Sequence, residues 1–266
     1  MRLYTTVAAG GFRRHATYRV ATAAGVFTNT VFGFILSYTF IALWDARPTL
    51  GGYDMGDALA YVWIGQALIT VCGLMGGGFE EELIERIRTG DIAVDLYRPA
   101  DLQTWWFAAN LGRAAYQLIG RGIAPMVFGA LVFDLTLPSH AWTWLAFLGS
   151  VTLGAIVSFA IWYLVAMSAF WLLDGQGVMQ VAWLGGLFFS GMLLPLNVFP
   201  GALGEVARML PWASMLQVPA DVYLERYEGW GLLGAYAFQA CWAVVLLATG
   251  RAVQAAATRK VVVQGG

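Results

Sequence analysis

The stretch Val20–Trp44, VATAAGVFTNTVFGFILSYTFIALW, carries no charged side chain, and its reading decides the fold. A helix needs roughly 20 consecutive apolar residues to cross the hydrocarbon core of a bilayer, and this run supplies them. It is too long for the apolar part of a secretory leader and begins too far from the N-terminus. Five further runs follow it: 58–79, 105–133, 142–173, 178–195 and 229–250. The expectation is therefore an all-α integral membrane protein of six crossings, with residues 1–266 forming one domain.

The runs are unequal. The second stops at Glu80-Glu81-Glu82. The third contains Arg113 and Arg121, so its first two turns are read as outside the hydrocarbon, with Arg121 snorkelling or facing protein. The fourth exceeds one bilayer thickness and must tilt or project. The turn Asp174-Gly175-Gln176-Gly177 leads to the fifth, which Pro195 and Pro200 end.

Composition agrees with a chain sorted between lipid and water. Of the 266 residues 59% are hydrophobic and 12% charged, with a mean hydropathy of +0.67; a soluble domain carries about 25% charge. A net charge of −1 leaves no basic face for nucleic acid. Strands of a membrane barrel would alternate in polarity over about ten residues, which these runs do not. Cys72 and Cys241 lie inside apolar runs and read as small packing residues, not as a disulfide. His15 and His140 lie far apart at run edges and read as interfacial residues, not as metal ligands.

Basic residues give the orientation. With both ends cytoplasmic, the inner segments hold Arg2, Arg13, Arg14, Arg19, Arg86, Arg88, Arg98, Arg251, Arg259 and Lys260, against Arg47, Arg208 and Arg226 outside. Trp44, Trp105, Trp106, Trp142, Trp144 and Trp230 fall where runs begin or end, as an aromatic belt requires.

Three segments are candidates for function. From Glu80 to Asp101 the chain is strongly acidic. Phe79, Leu83, Ile84 and Ile87 share one helical face, Glu82 and Arg86 have the spacing of an ion pair, Gly90 reads as a stop, and Asp101 as the cap of the next helix. This is either a solvated loop or a docking surface for a cytoplasmic partner. Between the fifth and sixth runs, Leu203, Val206, Ala207 and Leu210 make a short amphipathic helix closed by Pro211, and Asp221 could cap another. Pieces this short lie in the interface, re-enter the bilayer shallowly, or form a packed loop. The third feature is glycine clustering at Gly73, Gly76, Gly77 and Gly78, and at Gly185, Gly186 and Gly191.

What is missing also bears on function. Lys260 is the only lysine, so no phosphate-binding loop of the Walker type exists. No His-Glu-x-x-His zinc motif occurs, and no polar cluster at one membrane depth is evident. Neither catalysis nor proton coupling has an obvious home. Phe159, Trp162, Phe188 and Phe189 could line an apolar path or simply face lipid.

The segments Arg88-Thr-Gly-Asp-Ile-Ala-Val-Asp-Leu-Tyr-Arg-Pro-Ala-Asp-Leu-Gln103 and Leu210-Pro-Trp-Ala-Ser-Met-Leu-Gln-Val-Pro-Ala-Asp-Val-Tyr-Leu224 resemble the ABC-2-type permease subunits of ATP-binding-cassette exporters. The branch they are similar to includes multidrug, daunorubicin-like and viologen exporters. The resemblance implies an N-terminal amphipathic elbow helix at residues 2–19, although Gly10-Gly11 makes a poor helix. It implies a coupling helix within Glu80–Arg98, where Glu81, Glu82, Glu85, Arg86, Asp91 and Arg98 would meet a separate ATPase. It also implies short re-entrant helices outside, carried by Leu203, Val206, Leu210 and Trp212. Two permease chains, identical or related, would stand on two ATPase subunits that bind ATP and magnesium, in the cell membrane among its lipids. The chain itself would bind no cofactor or metal and catalyse nothing. The alternatives are a secondary carrier, a membrane enzyme, or an assembly or immunity factor without an ATPase partner. An inverted repeat with broken helices would favour a carrier, and only Pro125 interrupts a run.

Overall fold

In a computed structural model, residues 2–76, 78–172 and 176–264 are described. Gly77, Leu173, Asp174 and Gly175 lie outside the described residues, and with them part of the first glycine cluster and of the expected 174–177 turn.

Twelve α-helices form among the described residues, and no strands. Four segments are long and apolar enough to cross a membrane: Arg19–Ala46, Leu102–Val132, Ala141–Phe170 and Trp230–Arg259. The first is helix α2, preceded by α1 (Arg2–Thr17) with a break at Tyr18. The second comprises α6 (Leu102–Gln117) and α7 (Ile123–Val132), joined by a π-helical turn at Leu118–Gly122. Pro125 explains the turn: its ring would collide with the carbonyl of residue 121 in a regular helix, and the wider turn relieves this. The third is α8 (Ala141–Met167) with a short 3₁₀ extension, and the fourth lies in α12 (Trp230–Gln264).

The second and fifth runs fold differently from the sequence reading. Helix α3 covers only Met55–Leu68. The chain then leaves the helix through turns at residues 69–75 and resumes as α4 (Phe79–Thr89) and α5 (Ile92–Tyr97). Gly73 and Gly76 adopt positive φ in that break. Helix α9 (Gln176–Phe189) ends well before Pro195, because Gly191 turns the backbone at φ +91°. The space where a Cβ on Gly191 would stand is occupied by the hydroxyl of Tyr61, 2.2 Å away. Helices α10 (Gly201–Met209) and α11 (Gln217–Tyr223) precede α12.

Helix α3 lies at the centre, with every residue from Asp57 to Leu68 buried. Asp54 and Asp57 form a reciprocal capping box at its start. Helix α2 packs along α3 with a stripe of Gly25, Asn29, Gly33, Ser37, Phe40 and Trp44. Small residues matter here because lipid tails are as apolar as leucine, so helices in a bilayer associate through close packing and hydrogen bonds. Asn29 donates to the Gln66 carbonyl at 3.1 Å, for example. The other central element, α8, is covered by α12, α11 and α4.

The tryptophan belt is only partly realised. Trp142, Trp144 and Trp230 are exposed, but Trp44 and Trp106 are buried. Trp44 donates to the Tyr53 carbonyl at 2.9 Å instead of marking an interface.

The Gly10-Gly11 pair does not interrupt α1, because tertiary packing overrides helix propensity. Helix α1 lies against α6 so closely that a Cβ on Gly11 would fall 2.2 Å from the Ala109 carbonyl oxygen, and one on Gly112 1.9 Å from that of Ala8. Gly10 has open space around it. Gly11→Val should therefore lower the thermal midpoint of the detergent-purified chain, by about 1–3 kcal/mol of stability, and expose α1 to protease. Gly10→Ala should match or exceed wild type, since it removes a flexible residue from a helix. Equal effects of the two substitutions would refute the packing account.

Candidate functional site

The acidic segment folds back on the bundle as a helical pair. Phe79, Leu83 and Ile92 are buried against Trp106, Phe159 and Trp162, with Ile84 and Ile87 packed at the edge of the same cluster. Helix α4 stops at Gly90, which takes a left-handed conformation, and Asp101 caps α6 by accepting from Thr104 N at 2.8 Å. These features agree with the sequence reading. Burial of Phe159 and Trp162 beneath α4 removes both from any path or lipid face, whereas Phe188 stays exposed on α9.

The charged residues pair differently from their spacing. Glu82 binds Arg14 of α1 at 2.9 Å, and Arg86 makes two bonds to Asp95, at 2.5 and 3.0 Å. No Glu82–Arg86 pair forms, because each finds a better-placed partner from another helix. Asp95 is buried and is also bound by Arg98 at 3.1 Å, whose guanidinium stacks over Trp105. Sequence reading passed over Asp95, although it is the residue that joins α4, α5 and the start of α6. Glu85 pairs with Arg88 on the surface, and Glu81 and Asp91 are exposed. The outward face also carries Val94, 58% exposed, and Tyr97, 90% exposed.

The break between α3 and α4 is held by side chains from two other helices. Arg113 of α6 donates to the Thr70 carbonyl at 2.6 Å and to that of Val71 at 3.5 Å, and to Asn110 at 2.8 Å. Ser158 of α8 donates to the Cys72 carbonyl, and Trp162 to that of Gly73 at 2.8 Å. Buried Glu80 accepts from Gly78 N at 2.8 Å, next to Arg113. Arg113 is thus neither solvated nor interfacial. It takes the place of water for carbonyls that no helix satisfies.

On the opposite end of α3 lies a second polar cluster, contrary to the expectation that none exists. Tyr53 donates to Asp221 and accepts from Gln217 at 2.7 Å and Asn197 at 2.9 Å. Gln217 also donates to Asp221 at 2.9 Å and accepts from Tyr61 at 3.1 Å and Leu196 N at 2.7 Å. Asp221 therefore lies within α11 as a buried acceptor and does not cap it. Arg226 covers the cluster, 4.9 Å over the Tyr53 ring and 3.8 Å from Asp57. Every polar group is taken by another, so the arrangement fastens α11 to α3 and leaves no free nucleophile or base. The sequence hides it because its members come from three separated segments.

In the short helix α10 only part of the face expected to turn inward does so. Gly204 and Ala207 are buried, while Leu203 and Val206 are exposed; Leu210 and Trp212 are partly buried. Gly204 faces inward because a Cβ there would meet the Phe199 carbonyl at 2.6 Å, so only glycine permits the approach. Residues 213–224 are buried in the bundle, which satisfies their irregular backbone from protein. Glu225 then ties the segment after α11 to the start of α8. It accepts from Ser139, from Thr143 at 2.6 Å, and from both the backbone and ring of His140 at 3.2 and 3.1 Å.

Four helices of membrane-crossing length, with a helix pair that follows the break after α3, describe a multi-pass membrane protein. The chain matches the family model described as ABC-2 family transporter protein over residues 27–265, and it belongs to that family. It is a multi-pass membrane protein, the permease component of an ABC transporter, and not itself catalytic. Comparison with curated proteins finds no match.

Two outcomes follow from this geometry. Arg113→Met should leave the Thr70 and Val71 carbonyls unsatisfied, at a cost of about 1–3 kcal/mol each. Amide exchange in residues 69–76 should then rise roughly tenfold or more while α2 is unchanged; unaltered exchange would refute the clamp. The hydroxyls of Ser139 and Thr143, then His140, lower the Glu225 pKa to about 2. A lowered carboxylate pKa stabilises the fold above the ordinary range near ~4.3, and the contribution is lost as pH falls from there through about 2. Glu225→Gln should accordingly reduce the thermal midpoint at pH 6 and have no effect at pH 2, measured on the same detergent-purified protein.

Proposed function

We propose that this chain is one permease half of an ABC exporter, driven by a separate ATPase subunit that docks on α4 and α5. The observation that carries this reading is the helix pair itself. It is anchored by an apolar face and by Asp95, yet it presents Tyr97, Val94, Glu81, Glu85 and Asp91 outward. Helix α1 serves as the elbow lying on the cytoplasmic surface. Six crossings place both ends in the cytoplasm, with α3 and α9 completing the second and fifth through short helices and turns. The basic residues of the ends and of α4 support that orientation.

Two such chains, identical or related, enclose the path in the cell membrane, above two ATPase subunits that bind ATP and magnesium. The apolar outer face of α9, with Val181 and Leu184 exposed, suits a second permease chain. The turns at residues 69–75 let α4 follow the ATPase without dragging a continuous helix through the bilayer. The short helices at 201–223 close the outer side.

The tagged full chain, extracted in mild detergent, should bring down an ATPase subunit. Tyr97→Asp and Glu85→Lys should each weaken that recovery roughly tenfold, the scale of a central anchor residue, without loss of folded chain. Recovery without any ATPase, with transport sustained by an ion gradient, would overturn the proposal.

A further inference from the structure

A groove of about 520 Å³ opens on the lipid-facing side between α2 and the α6–α7 segment. Its walls are apolar, with Val26, Phe27 and Phe128, and Phe27 is 71% exposed. Its rim at one end is polar: Arg19 is exposed at the start of α2, and the hydroxyls of Thr22 and Tyr116 lie 2.9 Å apart. Outside the groove's lining, but next in sequence to its Gly120, Arg121 reaches from the π-helical turn over Gly25 of α2. A Cβ on Gly25 would fall 2.1 Å from its guanidinium carbon, so glycine leaves the room it occupies.

Arg121 has no hydrogen bond or ion pair with any described residue, and its Nε is buried without a partner. This contrasts with Arg113 on the same segment, whose guanidinium is fully engaged by carbonyls and Asn110. Depth sharpens the problem. Helix α2 has 28 residues and is about 42 Å long at 1.5 Å per residue, against about 30 Å of hydrocarbon. Gly25 lies about 9 Å along the axis from Arg19, which puts Arg121 close to the hydrocarbon edge, on the side that holds α1. A cation at that depth needs an anion or water. Snorkelling does not serve it fully, because the side chain is wedged over Gly25 and partly buried.

We infer that this groove is a binding site for an anionic phospholipid of the leaflet that holds α1. One acyl chain lies along Val26, Phe27 and Phe128, and the phosphate is held between Arg121 and Arg19 with the Thr22–Tyr116 pair at its edge. Charge complementarity selects the occupant: two cations without protein partners at the headgroup boundary, above an apolar trough open to lipid. The inference requires only that the chain be a multi-pass membrane protein, not that the partner or direction proposed above be right.

The full chain, delipidated in detergent, is titrated separately with phosphatidylglycerol, phosphatidylcholine of the same acyl chains, and inorganic phosphate, with bound lipid read by native mass spectrometry and the thermal midpoint read in parallel. Phosphatidylglycerol should bind and raise the midpoint, while the other two should not. Arg121→Gln should weaken phosphatidylglycerol binding roughly tenfold or more. Ala23→Trp, which fills the groove and removes no charge, should do the same, and Arg47→Gln at the far end of α2 should not. Equal binding of the two lipids, wild-type affinity in both Arg121→Gln and Ala23→Trp, or a shift produced by inorganic phosphate alone would overturn the inference. If Arg121→Gln fails to fold, the Ala23→Trp result decides.

Discussion

A buried backbone carbonyl that leaves a helix has no water to turn to, and the break after Leu68, whose residues 71–74 are buried, has to meet this constraint. The carbonyls of residues 70–73 leave the helical ladder just where α3 gives way to turns. All four are bonded by side chains from α6 and α8. Arg113 supplies two of those bonds and is the only charge among the donors. An arginine has five N–H donors in a rigid fork and cannot be neutralised, so it suits such a task better than any other residue. Without it the second run would have to stay helical, and α4 could not turn away to pack on α8.

That joint sets what the rest of the molecule can do. Helix α4 is attached to α3 by turns, and to α8 by Phe79, Leu83 and their aromatic neighbours. Asp95 then binds α4 to α5 through Arg86 and closes the pair through Arg98. The exposed face carrying Tyr97 is therefore part of a unit whose internal bonds are mostly its own. Its firmest apolar attachment is to α8. A force on Tyr97 acts on α8 as well as on the end of α3, which a single straight helix would not allow.

The four membrane-length helices and the acidic helix pair were legible because each depends on local pattern: length of an apolar run, one helical face, a glycine stop. The joints were not, because each is assembled from distant residues. Ser158 and Trp162 read as ordinary members of an apolar run, and nothing near them in sequence says that they bond residues 72 and 73. Glu82 and Arg86 had the right spacing for a pair, yet Arg14 and Asp95 were nearer in space. The Gly10-Gly11 pair failed as a helix breaker for the same reason, since contact with α6 repays the poor propensity. One signal was available: Gln217 and Asp221 are polar residues one helical turn apart in an otherwise apolar stretch, and in a membrane protein such residues need partners.

The two polar clusters stand at opposite ends of one buried helix. At its start, Tyr53 and Tyr61 bind Asp221 and Gln217; past its end, Arg113 binds the carbonyls of the break. Between them α3 presents no exposed residue from Asp57 to Leu68. A helix buried on all sides cannot rotate or shift alone without opening voids, because packed interiors have discrete arrangements and do not deform continuously. It moves with its neighbours or one of its end clusters must break. One cluster joins the Asp221 carboxylate to neutral donors beneath Arg226, and the other sets the Arg113 cation on backbone carbonyls next to Glu80. Any displacement of α3 on its own would leave buried polar groups at one end without partners, at a cost of about 1–3 kcal/mol each.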